Sequence, residues 1–157
     1  MITRSGHAPA IEAAVRHDSN APIFYARVGL DSIVARKGDS DGESGQDGSA
    51  RGQTLFAFCG IGNPAAFLAD LRDWGLRIAG HKFFRDHHRY TQQDAQEIQE
   101  EARNAGATGV ICTEKDIFNL RGTRWQSSGV FYSRVSMCIE REEEFWRVII
   151  AKSKSRK

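Results

Sequence analysis

From Gln53 onward, apolar residues switch repeatedly between two spacings. TLFAFCG, residues 54–60, is a nearly continuous apolar run, the mark of a strand covered on both faces. Phe67, Leu68, Leu71 and Trp74 then recur at helical spacing. Asn63 can cap that helix, Pro64 can open it and Gly75 can end it. LRIAGHKFF, residues 76–84, predicts a second strand. Thr91 caps the next helix, with Asp94 completing an acidic variant of the capping box. Ala95, Ile98, Ala102 and Ala105 form its predicted buried stripe, and Gly106 ends it. TGVICT, residues 108–113, reads as a third buried strand, and VFYSRVSMCIE, residues 130–140, as a fourth at a sheet edge. The last helix opens on Glu142, Glu143 and Glu144 and closes on Lys152, Lys154, Arg156 and Lys157, an order that suits the helix dipole. Phe145, Trp146, Ile149 and Ile150 are its predicted core face.

The preceding residues follow other rules. Residues 1–21 form a polar tail with a weak helical stretch at Ile11–Val15. Residues 22–36 predict a β-ribbon: Ile23, Tyr25 and Arg27 alternate with Phe24, Ala26 and Val28, a turn falls at Gly29–Ser32, and Ile33–Arg36 form a second short strand. Residues 37–52, KGDSDGESGQDGSARG, are too rich in glycine, serine and acid to build a core and read as a flexible loop. Asp39, Asp41 and Glu43 imitate a calcium loop, but its sixth position holds Ser44 rather than glycine and its twelfth Ala50 rather than glutamate. An α/β domain over residues 53–151 and a basic tail at 152–157 complete the division. The predicted fold class is α/β: a mostly parallel sheet with helices on both faces, preceded by the short β-ribbon. In such sheets ligands bind beyond the C-terminal strand ends. CGIGNP, HKFFRDHH and CTEKD each follow a strand, so they should meet on one rim.

Composition narrows the classes. At 157 residues, 40% hydrophobic and 27% charged, the chain is one ordinary globular domain with a tail. A net charge of +2 argues against nucleic acid as a partner. Cys59, Cys112 and Cys138 are odd in number and form no CxxC pair, which suits a reducing compartment. The chain has neither a signal-peptide core nor an apolar run of about 18 residues, so a cytoplasmic protein is expected, with surface attachment to a membrane left open.

The motifs admit more than one chemistry. Gly60, Gly62 and Ala65 match GxGxxA between a strand and a helix, the context of a dinucleotide-binding turn. Against it, Gly80-His81-Lys82 puts no acid at the end of the second strand, and Pro64 removes an N–H where phosphate needs donors. A tight strand-to-helix turn needing glycine fits better. His81, His87 and His88 could contribute to a zinc site, but adjacent histidines in an extended segment point to opposite sides, so no metal site is expected. The DHH triplet is shared with manganese-dependent phosphoesterases, whose other motifs are not found here. A general base made of Asp86, His87 and His88 fits better, because a carboxylate can orient an imidazole that titrates near neutrality. On spacing alone, solvated loop histidines are the favoured reading. In TEKD, Lys115 could meet an anionic group beside Glu114, or the segment could be a salt-bridged helix start capped by Thr113.

Taken in order, AFCGIGNPAAFLADLRDWGL, GHKFFRDHHRYTQQD and GATGVICTEKD resemble the C-terminal half of the tetraacyldisaccharide 4′-kinase family, the lipid A 4′-kinases, over roughly residues 22–150. The resemblance implies transfer of the ATP γ-phosphate to the 4′-hydroxyl of a disaccharide lipid A precursor, with magnesium, at the cytoplasmic face of the inner membrane. It also implies two α/β domains joined by a β-ribbon, which residues 22–36 would match. The family's catalytic histidine falls on His87, flanked by Asp86 and His88 and working with an aspartate of the other domain. Asn63, Glu114 and Lys115 become candidate substrate-binding residues. Family members also carry a P-loop, GxxxxGK[ST], and an N-terminal membrane-associated helix; this sequence contains no Gly-Lys dipeptide and no such helix. The residues that bind ATP and magnesium are therefore expected outside this chain, which alone should be inactive, as a truncated product, a fragment or one half of a split enzyme whose partner is a separate P-loop half. A non-catalytic module binding an anionic lipid or a protein, and a dinucleotide-binding domain, are the alternatives.

Overall fold

In a computed structural model, residues 2–3, 8–37, 42–44, 48–125 and 129–154 are described. In chain order the elements are β1 (Ile2–Thr3), α1 (Pro9–Asp18), β2 (Tyr25–Lys37), β3 (Gly42–Ser44), α2 (Gly48–Arg51), β4 (Thr54–Cys59), α3 (Pro64–Asp73), β5 (Arg77–Phe83), α4 (Gln92–Asn104), β6 (Gly109–Thr113), α5 (Glu114–Asn119), β7 (Val130–Ile139) and α6 (Glu142–Lys154). The strands follow the path β1-β2-β7-β6-β4-β5, with β3 paired to β2. The chain divides into two compact units, one of residues 1–29 and 136–157 and the other of residues 30–135; β2 and β7 each run from one into the other.

The larger unit is built around β4. β4 pairs in parallel with β5 on one side and β6 on the other, and β6 pairs in parallel with β7. Because successive strand residues face opposite ways, Leu55, Ala57 and Cys59 enter one core with Phe67, Leu68 and Leu71 of α3, while Phe56 and Phe58 enter a second core with Ile98 and Ala102 of α4 and Leu120 just after α5. The unbroken apolar run of β4 is thus explained by burial on both faces. β5, at the end of the strand path, alternates exposed and half-buried positions, as an edge strand does.

Helix ends follow local chemistry. Asn63 Oδ1 accepts from Ala66 N at 3.1 Å and Pro64 opens α3. Gly75 (φ +79°) closes it, with Leu76 N donating to Leu71 O and Gly75 N to Arg72 O. α4 begins with the predicted capping box, reciprocal between Thr91 and Asp94.

Four expectations need correction. Gly29–Ser32 forms no turn: β2 is continuous for 13 residues, its residues 27–32 alternating exposed and half-buried as a strand dictates. β7 is not an edge strand but lies between β6 and β2; its polar residues misled, because Arg134 is neutralised by Glu114 at 2.8 Å and lies over the Tyr132 ring. Ala105 is the exposed C-cap of α4, and Gln99 takes a buried place on that helix instead. α6 buries no residue: Trp146, Ile149 and Ile150 are about half exposed. Within 37–52, β3 pairs antiparallel with Ala35–Lys37 and α2 makes one turn. Asp39 and Asp41 of the calcium-like pattern lie outside the described residues.

The smaller unit has a modest core, Ile23 and Tyr25 packed with Ala8. Arg141 adds a hydrogen bond to Ile23 O at 2.9 Å and a cation–π contact over Phe24.

Gly109 shows how tightly β6 is threaded: an added Cβ there would lie 2.8 Å from Gly129 O, which is backbone and cannot swing away. We expect Gly109→Ala to lower unfolding free energy by about 1–3 kcal/mol through overpacking. Gly29→Ala, where an added Cβ meets nothing within 4 Å, should stay within about 0.5 kcal/mol of the parent in urea titrations.

Candidate functional site

The chain leaves β4 toward β5 on one side and leaves β6 toward β7 on the other, so the crevice beyond the ends of β4 and β6 is the topological switch point of the sheet. In this fold that crevice is filled from within. Asp116, fully buried in the first turn of α5, places its carboxylate there. Oδ1 accepts from Gly60 N at 3.0 Å and from Tyr90 OH at 3.0 Å; Oδ2 accepts from Thr113 Oγ1 at 2.5 Å. One carboxylate therefore ties together the segments following β4, β5 and β6. Burial and this carboxylate push the Cys59 thiol up to about 12 and raise the Tyr90 phenol, so neither offers a nucleophile near neutrality.

The segment after β5 is laid directly on the glycine turn. Phe84 N donates to Cys59 O at 2.8 Å and His87 N to Gly60 O at 3.1 Å. An added Cβ on Gly60 would sit 3.0 Å from His88 Cβ and 3.1 Å from Arg85 O. Close backbone approach thus accounts for Gly60, and its N–H is already given to Asp116. The GxGxxA match has its physical reason in packing.

Above this plug sits an exposed polar group. Lys115 Nζ meets Asp86 Oδ1 at 3.0 Å. Asp86 Oδ1 also accepts from His87 N at 3.0 Å, while His87 Nε2 stands 3.7 Å from Asp86 Oδ2, in ion-pair range but beyond a hydrogen bond. The His87 side chain is 79% exposed. Its φ of +59° lies in the left-handed region, a conformation costing roughly 1–2 kcal/mol in a non-glycine residue. The two acceptors of its N–H, Gly60 O and Asp86 Oδ1, hold it there. The Lys115 hydrogen bond, helped by His87 and opposed by slight burial, keeps the Asp86 carboxyl below its ordinary range.

The other candidates point elsewhere. His88 is mostly covered: its ring stacks on Phe84 at 4.5 Å, and Nε2 lies 3.1 Å from Asp94 Oδ2. Asp94 Oδ2 also accepts from Thr91 N and Oγ1, so His88 is joined to the cap of α4. Asn63 spends its side-chain oxygen on capping α3. Glu114 turns to Arg134 on β7. His81 lies against Phe83 on β5. The structure thus gathers Asp86, His87 and Lys115, and disperses His88, Asn63 and Glu114. Tyr90 escaped sequence reasoning, and Asp116 was placed only at a strand end within TEKD; the T-x-x-D spacing of Thr113 and Asp116 signalled a cap but not a lock between strands.

The rim does not fit a magnesium-bound nucleotide by itself. Among the described residues no three His, Cys, Asp or Glu side chains form a metal-holding group. The Gly60 amide is committed to Asp116, Pro64 has no N–H, and the Ala66 amide is taken by Asn63, so these three positions give a phosphate no donor.

The family model described as tetraacyldisaccharide-1-P 4′-kinase matches residues 1–154. Among similar curated proteins is a tetraacyldisaccharide 4′-kinase of Chlorobium phaeovibrioides, 33% identical over 95% of this chain and 42% of its own. That of Bradyrhizobium sp. (strain BTAi1) is 32% identical over 79% of this chain and 32% of its own. That of Desulfotalea psychrophila is 46% identical over a shorter stretch, 42% of this chain and 19% of its own. The chain thus spans less than half the length of these relatives. A crystal structure described as the apo form of LpxK from Aquifex aeolicus in complex with ATP superposes with a TM-score of 0.54 at 20% identity, over 85% of this chain and 37% of the other, a likeness of fold.

Two outcomes follow from the geometry. Asp116→Ala strands the Gly60 N–H and the Tyr90 hydroxyl in the interior and should cost about 2–4 kcal/mol in urea unfolding. The Gly60 amide should lose hydrogen-exchange protection in that variant, whereas Tyr90→Phe should cost only ~1 kcal/mol. Asp94 supplies the pH dependence. Burial raises its pKa, but Thr91 and His88 outweigh it and the net shift is downward. Its folded value then lies below the unfolded one, so its stabilising contribution is complete above the ordinary carboxylate range of about 4 and is lost as pH falls through the lowered value. Asp94→Asn should therefore make the acid limb of the stability curve shallower in denaturation series between pH 2 and 6.

Proposed function

Since the chain belongs to the tetraacyldisaccharide 4′-kinase family, we propose that it supplies the acceptor-side residues for transferring the ATP γ-phosphate to the 4′-hydroxyl of a disaccharide lipid A precursor. The observation that carries this reading is the Asp86–Lys115 ion pair at 3.0 Å beside an exposed His87, held on the rim by a strained backbone. Strain of this kind is kept where surrounding bonds over-determine it, and functional sites are where it collects. His87 takes the proton of the 4′-hydroxyl as that oxygen bonds to the γ-phosphorus and the bond from phosphorus to the β,γ-bridging oxygen breaks, ADP leaving with that oxygen. The neighbouring Asp86 carboxylate stabilises the imidazolium that results. Lys115 orients Asp86 and adds positive charge where phosphoryl oxygens approach.

His88 acts indirectly in this reading, since its tie to Asp94 fixes the loop that presents His87. Asn63 and Glu114 act only at a distance from the substrate, Asn63 by capping α3 and Glu114 by pairing with Arg134 of β7. The groups that bind ATP and magnesium come from residues beyond these 157, whether in a longer chain or a separate P-loop partner; the sequence here contains no Gly-Lys dipeptide. The setting proposed is peripheral, at the cytoplasmic face of the inner membrane. No helix among the described residues is long and apolar enough to cross a membrane.

The test mixes this chain with a separately expressed P-loop half and follows ATP-dependent phosphorylation of the disaccharide lipid. Restored activity should fall by about 10²–10⁴ in kcat on His87→Ala, the usual loss for a general base. His88→Ala should instead lower thermal stability. Activity that survives His87→Ala removes the catalytic assignment. Lipid binding that survives His87→Ala but weakens on Lys115→Ala, with no phosphorylation under any pairing, replaces it with an anionic-lipid-binding module.

A further inference from the structure

A second polar site lies along α4. A cavity of about 470 Å³ is lined by Gln92, Gln96, Gln99 and Arg103 of that helix and by Gly122 and Arg124 of the segment following α5. The four helix residues fall at i, i+4, i+7 and i+11, one continuous face, so the glutamines and the arginine form a single polar stripe. The opposite wall is fixed before any ligand arrives. Gln92 Oε1 accepts from Arg124 N at 2.8 Å and Gln92 Nε2 donates to Arg124 O at 3.3 Å. Thr123, buried, donates to Leu120 O at 2.6 Å and accepts from Trp125 Nε1 at 2.9 Å. Trp125 in turn stacks on Phe58 at 5.6 Å.

The charge balance of this cavity is one-sided. Its lining holds two arginines and no carboxylate. Glu100, four residues after Gln96 and three before Arg103, is the α4 acid nearest this stripe by helical spacing but does not line the cavity; Glu97 and Glu101 are both committed to Lys82. Among the described residues neither the Arg103 nor the Arg124 guanidinium has an ion pair or hydrogen bond. Two guanidinium groups facing one cavity without a counter-charge repel each other, and an oxyanion between them relieves that repulsion through charge-assisted hydrogen bonds. Gln92 has already given one lone pair and one N–H to Arg124, so the Gln96 amide, with the second lone pair and N–H of Gln92, offers the donors and acceptors that hydroxyl groups require. The volume falls within the range of small-molecule sites. We propose that this cavity binds an anionic, hydroxyl-bearing ligand of sugar-phosphate size, held by Arg103 and Arg124. None of its lining residues belongs to the Asp86–His87–Lys115 group, so the two readings stand or fall separately.

The test is an amide-resolved NMR titration of the full chain with glucose 1-phosphate, with inorganic phosphate and glucose as comparison arms. Saturable shifts are expected at Gln92, Gln96, Arg103, Gly122 and Arg124 with glucose 1-phosphate, weaker with phosphate, absent with glucose, and reduced by added salt. Arg103→Gln and Arg124→Gln, both at exposed positions, should each weaken binding about tenfold, while Lys115→Ala leaves it within about twofold. No saturable shift, shifts clustered elsewhere, or affinity untouched by both arginine variants would overturn the proposal. Equal binding of glucose would remove the anion requirement, and equal binding of phosphate would remove the sugar from the ligand.

Discussion

A buried carboxylate must be surrounded by donors, and Asp116 meets that demand by recruiting one each from the segments that close β4, β5 and β6. The consequence is geometric. Gly60, Tyr90 and Thr113 are 30 and 23 residues apart along the chain, yet each must return to the same two oxygens. The rim segments are therefore held in mutual register by hydrogen bonds that are expensive to leave unmade, rather than by loop packing alone. The exposed group above inherits this precision. Lys115 precedes Asp116 on α5 and Asp86 lies four residues before Tyr90, so fixing the plug also fixes the partners of the ion pair above it.

The same plug separates this rim from a dinucleotide turn of similar sequence. Both need a glycine where a strand turns into a helix, and the letters alone cannot tell them apart. What distinguishes them is the fate of the N–H groups. Here the Gly60 amide points to a carboxylate of the protein itself, and the space a phosphate would enter holds the backbone of the segment after β5. The Gly60 N–H at the switch point is satisfied from inside, and Asp86, His87 and Lys115 are left as the exposed polar group of the rim.

Periodicity made most of the larger unit legible. β4 reads as apolar on both faces because it lies between two parallel neighbours and two helix layers, and α3 and α4 read through their caps as much as through their stripes. What the pattern hid was tertiary neutralisation. Arg134 looks like an edge residue until Glu114 is seen beside it, and Gln99 looks like surface although it is buried and donates to Ala95 O at 2.9 Å. Gly29 suggested a turn, but a glycine makes a turn only where the backbone needs unusual angles, and β2 simply continues through it. The apolar side of α6 was read as core because hydrophobic spacing records what a helix can bury, not what lies near it.

At the site, the residue types were readable and their division was not. Asp86, His87 and His88 are consecutive, and their letters suit a single cooperative base. The left-handed backbone at His87 breaks that unity. It turns the chain so that one imidazole stands in solvent beside Asp86 while the next is pressed between Phe84 and Asp94. The two histidines then answer different physical demands. His88 has aromatic and carboxylate partners that compensate its covering, which is the economy of a structural residue. His87 has a conformational cost and few contacts of its own side chain, and a fold stabilised only by its contacts would gain by placing glycine there. The exposed ring, not the half-buried one, is the feature that stability leaves unexplained, and that is the argument for assigning it the chemistry.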